Sequence, residues 1–162
     1  MIVILALLND LPIMTIAFDN SSVSEKPVRW NMKVVIFTAT ILGISGVIFS
    51  FGLFLIGMYV FHVNTYVLQT LIFLKLTVAG HMTIYLARTD EKHFWIHPLP
   101  SKILFFTCES TQFVGTALAV YGAFMAPIGW GLAGFVWLYS LIEFVAVDWI
   151  KYSSLKLTNF YK

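Results

Sequence analysis

The sequence predicts an all-α fold, a polytopic bundle of five transmembrane helices, and three observations carry that expectation. Of its 162 residues, 59% are hydrophobic and only 11% charged, where ordinary soluble domains carry about 25% charge. Apolar runs near 20 residues long recur along the chain, without the polar alternation a helix needs to face water. The charge is confined almost wholly to the short segments between those runs.

A spanning helix needs about 20 mostly apolar residues at 1.5 Å each, which places spans at 1–18, 34–61, 67–87, 103–124 and 130–150. Together they form one transmembrane domain, 1–152, followed by a short cytoplasmic tail, 153–162. The first run is not a secretory signal, because Met1-Ile-Val-Ile carries no basic leading charge and Asp10 and Pro12 interrupt it. It begins at the membrane edge, which fits a piece of a longer protein or an abrupt start. The second run, 28 residues from Val34, would measure about 42 Å as straight helix. It must tilt, bend or protrude, with close contact or bending expected at Gly43 and Gly46 or at Gly52 and Gly57. In the fourth run Gly115, Ala119 and Ala123 recur every four residues and leave one face open to a close neighbour.

Orientation follows from the basic residues. Three lie in 19–33 (Lys26, Arg29, Lys33), three in 88–102 (Arg88, Lys92, Lys102) and three in the tail (Lys151, Lys156, Lys162), while the other two loops have none. By the positive-inside rule that side is the cytoplasm, so the N-terminus lies outside and the C-terminus inside. Trp30, Trp95, Trp149 and Tyr152 fall at the inner interface, and Tyr59, Tyr66 and Trp130 at the outer one, as interfacial anchors do. The net charge of +2 therefore reports topology and not nucleic-acid binding. A lone Cys108 provides neither disulfide nor redox pair.

One constellation points to transport. Leu7-Leu8-Asn9-Asp10-Leu11-Pro12 puts a carboxyl group near the middle of the first span and then a residue that breaks helices. Proline has no amide hydrogen, so the Leu8 carbonyl loses its helical donor, and Leu11 is pushed from helical geometry. Free carbonyls, Asn9 and the Asp10 carboxylate then share one depth, the arrangement of cation sites on discontinuous helices. An ionised Asp costs about 2.5 to 3.5 kcal/mol at the centre of a spanning helix, so its protonation can be switched by changing surroundings. The plain alternative is an Asn-Asp pair tying helices together. The transport reading needs Asp10 to be buried beside an interrupted backbone. Calcium would usually need six to eight oxygens, more than these residues offer.

Lys75, His81, Glu109, Glu143 and Asp148 also lie within spans. Counted at about 1.5 Å per residue from the outer edges, His81, Glu109 and Glu143 share a level about 20 Å deep and Lys75 lies nearer Asp10. The expectation is a buried polar cluster of His81 with one or both glutamates, structural in role, with Lys75 pairing to an acid or snorkelling outward. His93 and His97 are spaced four apart beside Trp95, but without a third ligand they read as a solvated pair and no metal site is expected. Asn20-Ser21-Ser22 matches a glycosylation triplet on the wrong side of the membrane.

Ile4-Leu5-Ala6-Leu7-Leu8-Asn9-Asp10 with Ile13-Met14-Thr15-Ile16 resembles the sixth span of plasma-membrane-type proton-translocating P-type ATPases. Leu74-Lys75-Leu76-Thr77-Val78 through Arg88 resembles the eighth, and Gly129-Trp130-Gly131 with Val136-Trp137-Leu138-Tyr139-Ser140 and Asp148 the tenth. The resemblance runs to about Tyr152 and implies spans six to ten of such a pump in the plasma membrane, exporting protons, with Asp10 as the proton-binding carboxylate. It departs from the plant-type pattern at Leu11-Pro12 and Glu143. It further implies that ATP and Mg are handled by domains absent here: the chain has no Asp-Lys-Thr-Gly or Thr-Gly-Glu motif, so its partners would be the bilayer and the remaining spans and cytoplasmic domains. The other readings are a pump for a different cation or a non-catalytic scaffold.

Overall fold

A computed structural model describes residues 1–20, 32–89, 93–96 and 98–158. Among these residues the chain is all helix and turn: α1 (Ile2–Thr15, extended by a 3-10 turn at Ile16–Phe18), α2 (Met32–Tyr59), α3 (Thr65–Ala87), α4 (Lys102–Tyr121) and α5 (Gly129–Thr158). The last four are long and apolar enough to cross a membrane, and α1 with its 3-10 turn is a shorter apolar helix. Its 14 α-helical and 3 further residues extend about 27 Å, close to a hydrocarbon core of about 30 Å.

Local chemistry sets the boundaries. The side chains of Asn64 and Ser101 accept from the amides of Val67 (2.9 Å) and Leu104 (3.2 Å), capping α3 and α4 at donors the helix itself leaves unused. Gly122 ends α4 at φ 75°, a left-handed conformation that glycine adopts at no steric cost. Beyond the expected last span α5 continues as helix to Thr158, because Lys151 and Leu155 are buried and hold that end against the bundle.

The hub is α3, which packs against all four other helices. It is accordingly the most buried of the long helices, from Leu68 and Leu71 through Leu74, Val78 and Met82 to Leu86. The buried residues of α5, Ala133, Val136, Ser140, Glu143, Phe144, Val147, Asp148, Lys151 and Leu155, fall one helical turn apart along one stripe facing inward. Gly115 lets α4 approach closely: a Cβ there would lie 3.0 Å from Thr77 and 3.4 Å from Leu8. On α2 close approach occurs at Gly52 and Gly57, where a Cβ would meet Tyr139 Oη at 2.8 Å and Leu68 Cδ1 at 2.6 Å, while Gly43 and Gly46 have open space. The helices α1 and α2 both lean on α3 but, among the described residues, not on each other.

Candidate functional site

The first span is not unwound at Pro12. It is α-helical without a gap from Ile2 to Thr15, and the expected interruption is confined to one hydrogen bond. Pro12 cannot donate to the Leu8 carbonyl, and His81 of α3 takes its place, with Nε2 3.1 Å from that oxygen. A carbonyl only accepts, so Nε2 carries the hydrogen. The hydroxyl of Thr111, which donates to the Thr107 and Cys108 carbonyls, stands 3.4 Å from the same nitrogen. The orphaned acceptor is thereby satisfied inside the protein, which is what lets the helix continue. The Leu8 carbonyl, expected to be free for an ion, is thus engaged.

Asp10 is a second correction. It lies on the exposed face of α1, in a stripe with Val3, Leu7 and Met14, all exposed, and has no ion-pair or hydrogen-bond partner among the described residues. Helical geometry explains it: Leu8 and Pro12, four apart, face α3 and α4, so Asp10, about 200° round the axis from Leu8, points away. Asn9 falls between. Its side-chain oxygen is buried without a partner and is the nearest atom, 3.4 Å away, to a Cβ built on Gly80.

The expected polar cluster divides into separate sites. Lys75 Nζ reaches Glu143 Oε1 at 3.0 Å and also donates to Ser50 Oγ (2.8 Å) and the Gly46 carbonyl (3.2 Å). One ammonium therefore joins α2, α3 and α5. Its four-carbon stem spans the offset in depth between the two helices, which counting residues along each helix does not capture. This pair borders a groove of about 630 Å³ between α2 and α3, lined also by Gly43, Gly80 and Thr83. His81 meets neither glutamate within hydrogen-bonding distance. Glu109, half-buried on α4, lies in a different pocket of about 440 Å³ with Tyr85, Arg88 and Gln112.

The basic end of the bundle carries ties that sequence reading missed. Asp19 accepts from Arg88 Nε (2.7 Å) and from the Ser101 amide (2.9 Å), joining the ends of α1, α3 and α4. Burial alone would raise the Asp19 pKa, but the hydrogen bonds from Arg88 and Ser101 and the Arg88 charge outweigh it and hold the carboxyl below its ordinary value. Lys151, fully buried, donates to the Leu86 and Thr89 carbonyls and the Thr89 hydroxyl, a cation at the carbonyl end of α3 where the helix dipole favours it. Its place on the buried stripe of α5, four residues before Leu155, was the available signal. His93 is not solvated: Nδ1 lies 2.6 Å from Asp148 Oδ2 and the ring stacks on Trp95 and Tyr152. His97, and the residues Ser21, Ser22, Lys26, Arg29, Trp30, Lys92 and Lys162, lie outside the described residues. Among the described residues no group of three metal-ligating side chains occurs.

Fold and site together define a multi-pass membrane bundle with carboxyl groups placed inside its helices. Over 156 residues, 96% of the chain, the sequence is 46% identical to a Methanocaldococcus jannaschii protein named "Putative cation-transporting ATPase MJ1226". The chain spans 19% of that relative's length. No protein-family model matches the chain.

Proposed function

We propose that this chain supplies the ion-carrying helices of a P-type ATPase that exports protons across the plasma membrane, with Asp10 as the proton-binding carboxylate. The observation that carries the reading is the pairing of two neighbours in one turn of α1: Asp10, unpartnered and facing outward, and Asn9, its buried oxygen likewise unpartnered. The described residues do not meet the condition set by the sequence, since Asp10 is exposed on an unbroken helix. A carboxyl group in an apolar stripe at mid-helix is costly against lipid, so the reading requires further spans of a longer protein to bury this face. The similarity to a named cation-transporting ATPase over 96% of the chain supports the same arrangement.

In this reading α1 carries the ion-binding side chains and α3 anchors them. The His81 bond to Leu8 fixes the turn that presents Asn9 and Asp10, and the Leu8 carbonyl positions that turn instead of binding the ion. ATP and Mg²⁺ would act in cytoplasmic domains outside these residues, whose phosphorylation would alter what faces Asp10. The termini would be outside (N) and cytoplasmic (C), as the positive-inside rule has it.

The relative's name specifies a cation and not a proton, which favours one second reading, a pump for another cation. Co-expression of the chain with the complementary part of such an ATPase, followed by ATP-driven uptake into inverted vesicles, separates the two. Proton uptake by wild type and its loss in Asp10→Asn is the expected result. ATP-driven uptake of sodium or calcium without acidification would move the assignment to that ion, and equal proton pumping by Asp10→Asn would remove Asp10 from the mechanism.

A further inference from the structure

Five carboxyl side chains lie among the described residues, and three have a basic side chain as partner: Asp19 with Arg88, Glu143 with Lys75, and Asp148 with His93. Asp10 and Glu109 remain. The proposed transport site takes Asp10, and nothing so far accounts for Glu109. It sits seven residues into α4, about 10 Å from the basic end of the bundle, at a depth where a carboxyl group without a partner marks a functional site.

Glu109 does not face featureless lipid. It borders the pocket of about 440 Å³ enclosed by α3, α4, α5 and the loop before Ser101, within the 300–1,000 Å³ typical of small-molecule sites. The walls are aromatic, with Phe94, Trp95, Phe105, Trp137 and Phe144 among them. Arg88, the cation among the described residues of the lining, is committed elsewhere: Nε to Asp19 and the two terminal nitrogens to the Pro98 and Asn20 carbonyls. One helical turn from Glu109, Gln112 also lines the pocket. It is 1% exposed, and neither its amide oxygen nor its amide nitrogen has a hydrogen-bond partner. Buried amides are nearly always bonded, so this one has capacity to spare for a ligand.

We propose that this pocket binds a single-chain amphiphile bearing a primary ammonium group, with Glu109 as its counter-charge. Glu109, which has no cationic partner among the described residues, selects a positive head, since an anionic one would face the carboxylate and a neutral one would leave it unpaired. Trp95 and Trp137 line the same pocket, and indole rings attract ammonium groups, while the Gln112 oxygen can accept one of its hydrogens. The aromatic walls take the hydrocarbon chain, and the volume suits one chain instead of two. A phospholipid ammonium is the poorer fit, because it resides in the headgroup layer beside its own phosphate, above the depth of Glu109.

The test uses the purified chain in phosphatidylcholine nanodiscs, titrated with chain-brominated dodecylamine, dodecanol and dodecanoate while tryptophan quenching is followed. Saturable quenching by the amine is expected, with only linear partitioning by the alcohol and the acid. Glu109→Gln should weaken the amine at least tenfold and Glu109→Asp should retain it, both with unchanged far-UV circular dichroism. Equal behaviour of the three head groups on the wild-type chain would overturn the proposal without recourse to any variant. So would unaltered amine binding in a folded Glu109→Gln protein. Displacement of the amine by phosphatidylethanolamine added to the nanodiscs would overturn the single-chain assignment.

Discussion

His81 Nε2 stands 3.1 Å from the Leu8 carbonyl oxygen, the acceptor that Pro12 deprives of its helical donor. A proline that would break an isolated helix is accommodated here by a side chain from another helix. The relationship also accounts for the side of α1 on which Asn9 and Asp10 appear.

That bond is testable by a double-mutant cycle. His81→Leu leaves a buried carbonyl unpaired and should cost about 1–3 kcal/mol. In a Pro12→Ala background the restored backbone amide serves Leu8, and the same replacement should cost less by about 1 kcal/mol or more. Thermal unfolding of the four proteins in one detergent measures the difference. Equal costs in both backgrounds would mean that His81 matters for packing alone.

Lys75 and Glu143 form a buried pair at 3.0 Å. Glu143→Leu alone strands the ammonium and should destabilise by about 3–5 kcal/mol, whereas Lys75→Met with Glu143→Leu should come close to neutral. If the double variant proves as unstable as the single one, the ties from Lys75 to Ser50 and Gly46 carry the effect. ATP-driven transport by a folded double variant, measured separately, would show whether the pair is only structural.

The four glycines of α2 should divide by position. Gly52→Ala would press on Tyr139 Oη, 2.8 Å from the added carbon, and disturb its 2.8 Å hydrogen bond to the Phe49 carbonyl. It should lower the melting temperature. Gly43→Ala meets nothing within 4 Å and should raise stability by about 0.5–1 kcal/mol through helix propensity. A loss of stability at Gly43 would place an unseen neighbour on that face.

Asp19 links stability to pH with a definite sign. Its folded-state pKa is below the ordinary 3.8, so the Arg88 pairing contributes fully above that pH and is lost as pH falls through the lowered value. Wild type should therefore exceed Asp19→Asn in thermal stability at neutral pH, and the two curves should converge in acid. Parallel curves down to the lowest pH that the protein tolerates would exclude the carboxylate as the source.

Much of the architecture was legible because bilayer thickness imposes it. A helix that crosses hydrocarbon must be apolar over about 20 residues whatever it packs against, and four of the five expected spans appear as long helices within a few residues of their expected bounds, α5 excepted at its inner end. The orphaned Leu8 carbonyl was legible too, since it follows from the covalent structure of Pro12. Its partner was not. His81 is 73 residues away, and which donor fills an empty place depends on how α1 settles against α3.

The sequence by itself therefore determined the number of apolar helices, the segregation of basic residues between them and the one carbonyl left without a donor, all consequences of local composition and backbone chemistry. Only the tertiary structure decided that α3 lies at the centre, that Lys75 pairs with Glu143 while Glu109 stands apart, and that Asp10 turns outward. The reason is physical: inside a membrane every helix is apolar all round, so hydrophobic periodicity does not say which face meets a neighbour. That choice falls to small residues such as Gly115 and to a few long-range polar bonds, whose partners meet only once the helices have packed.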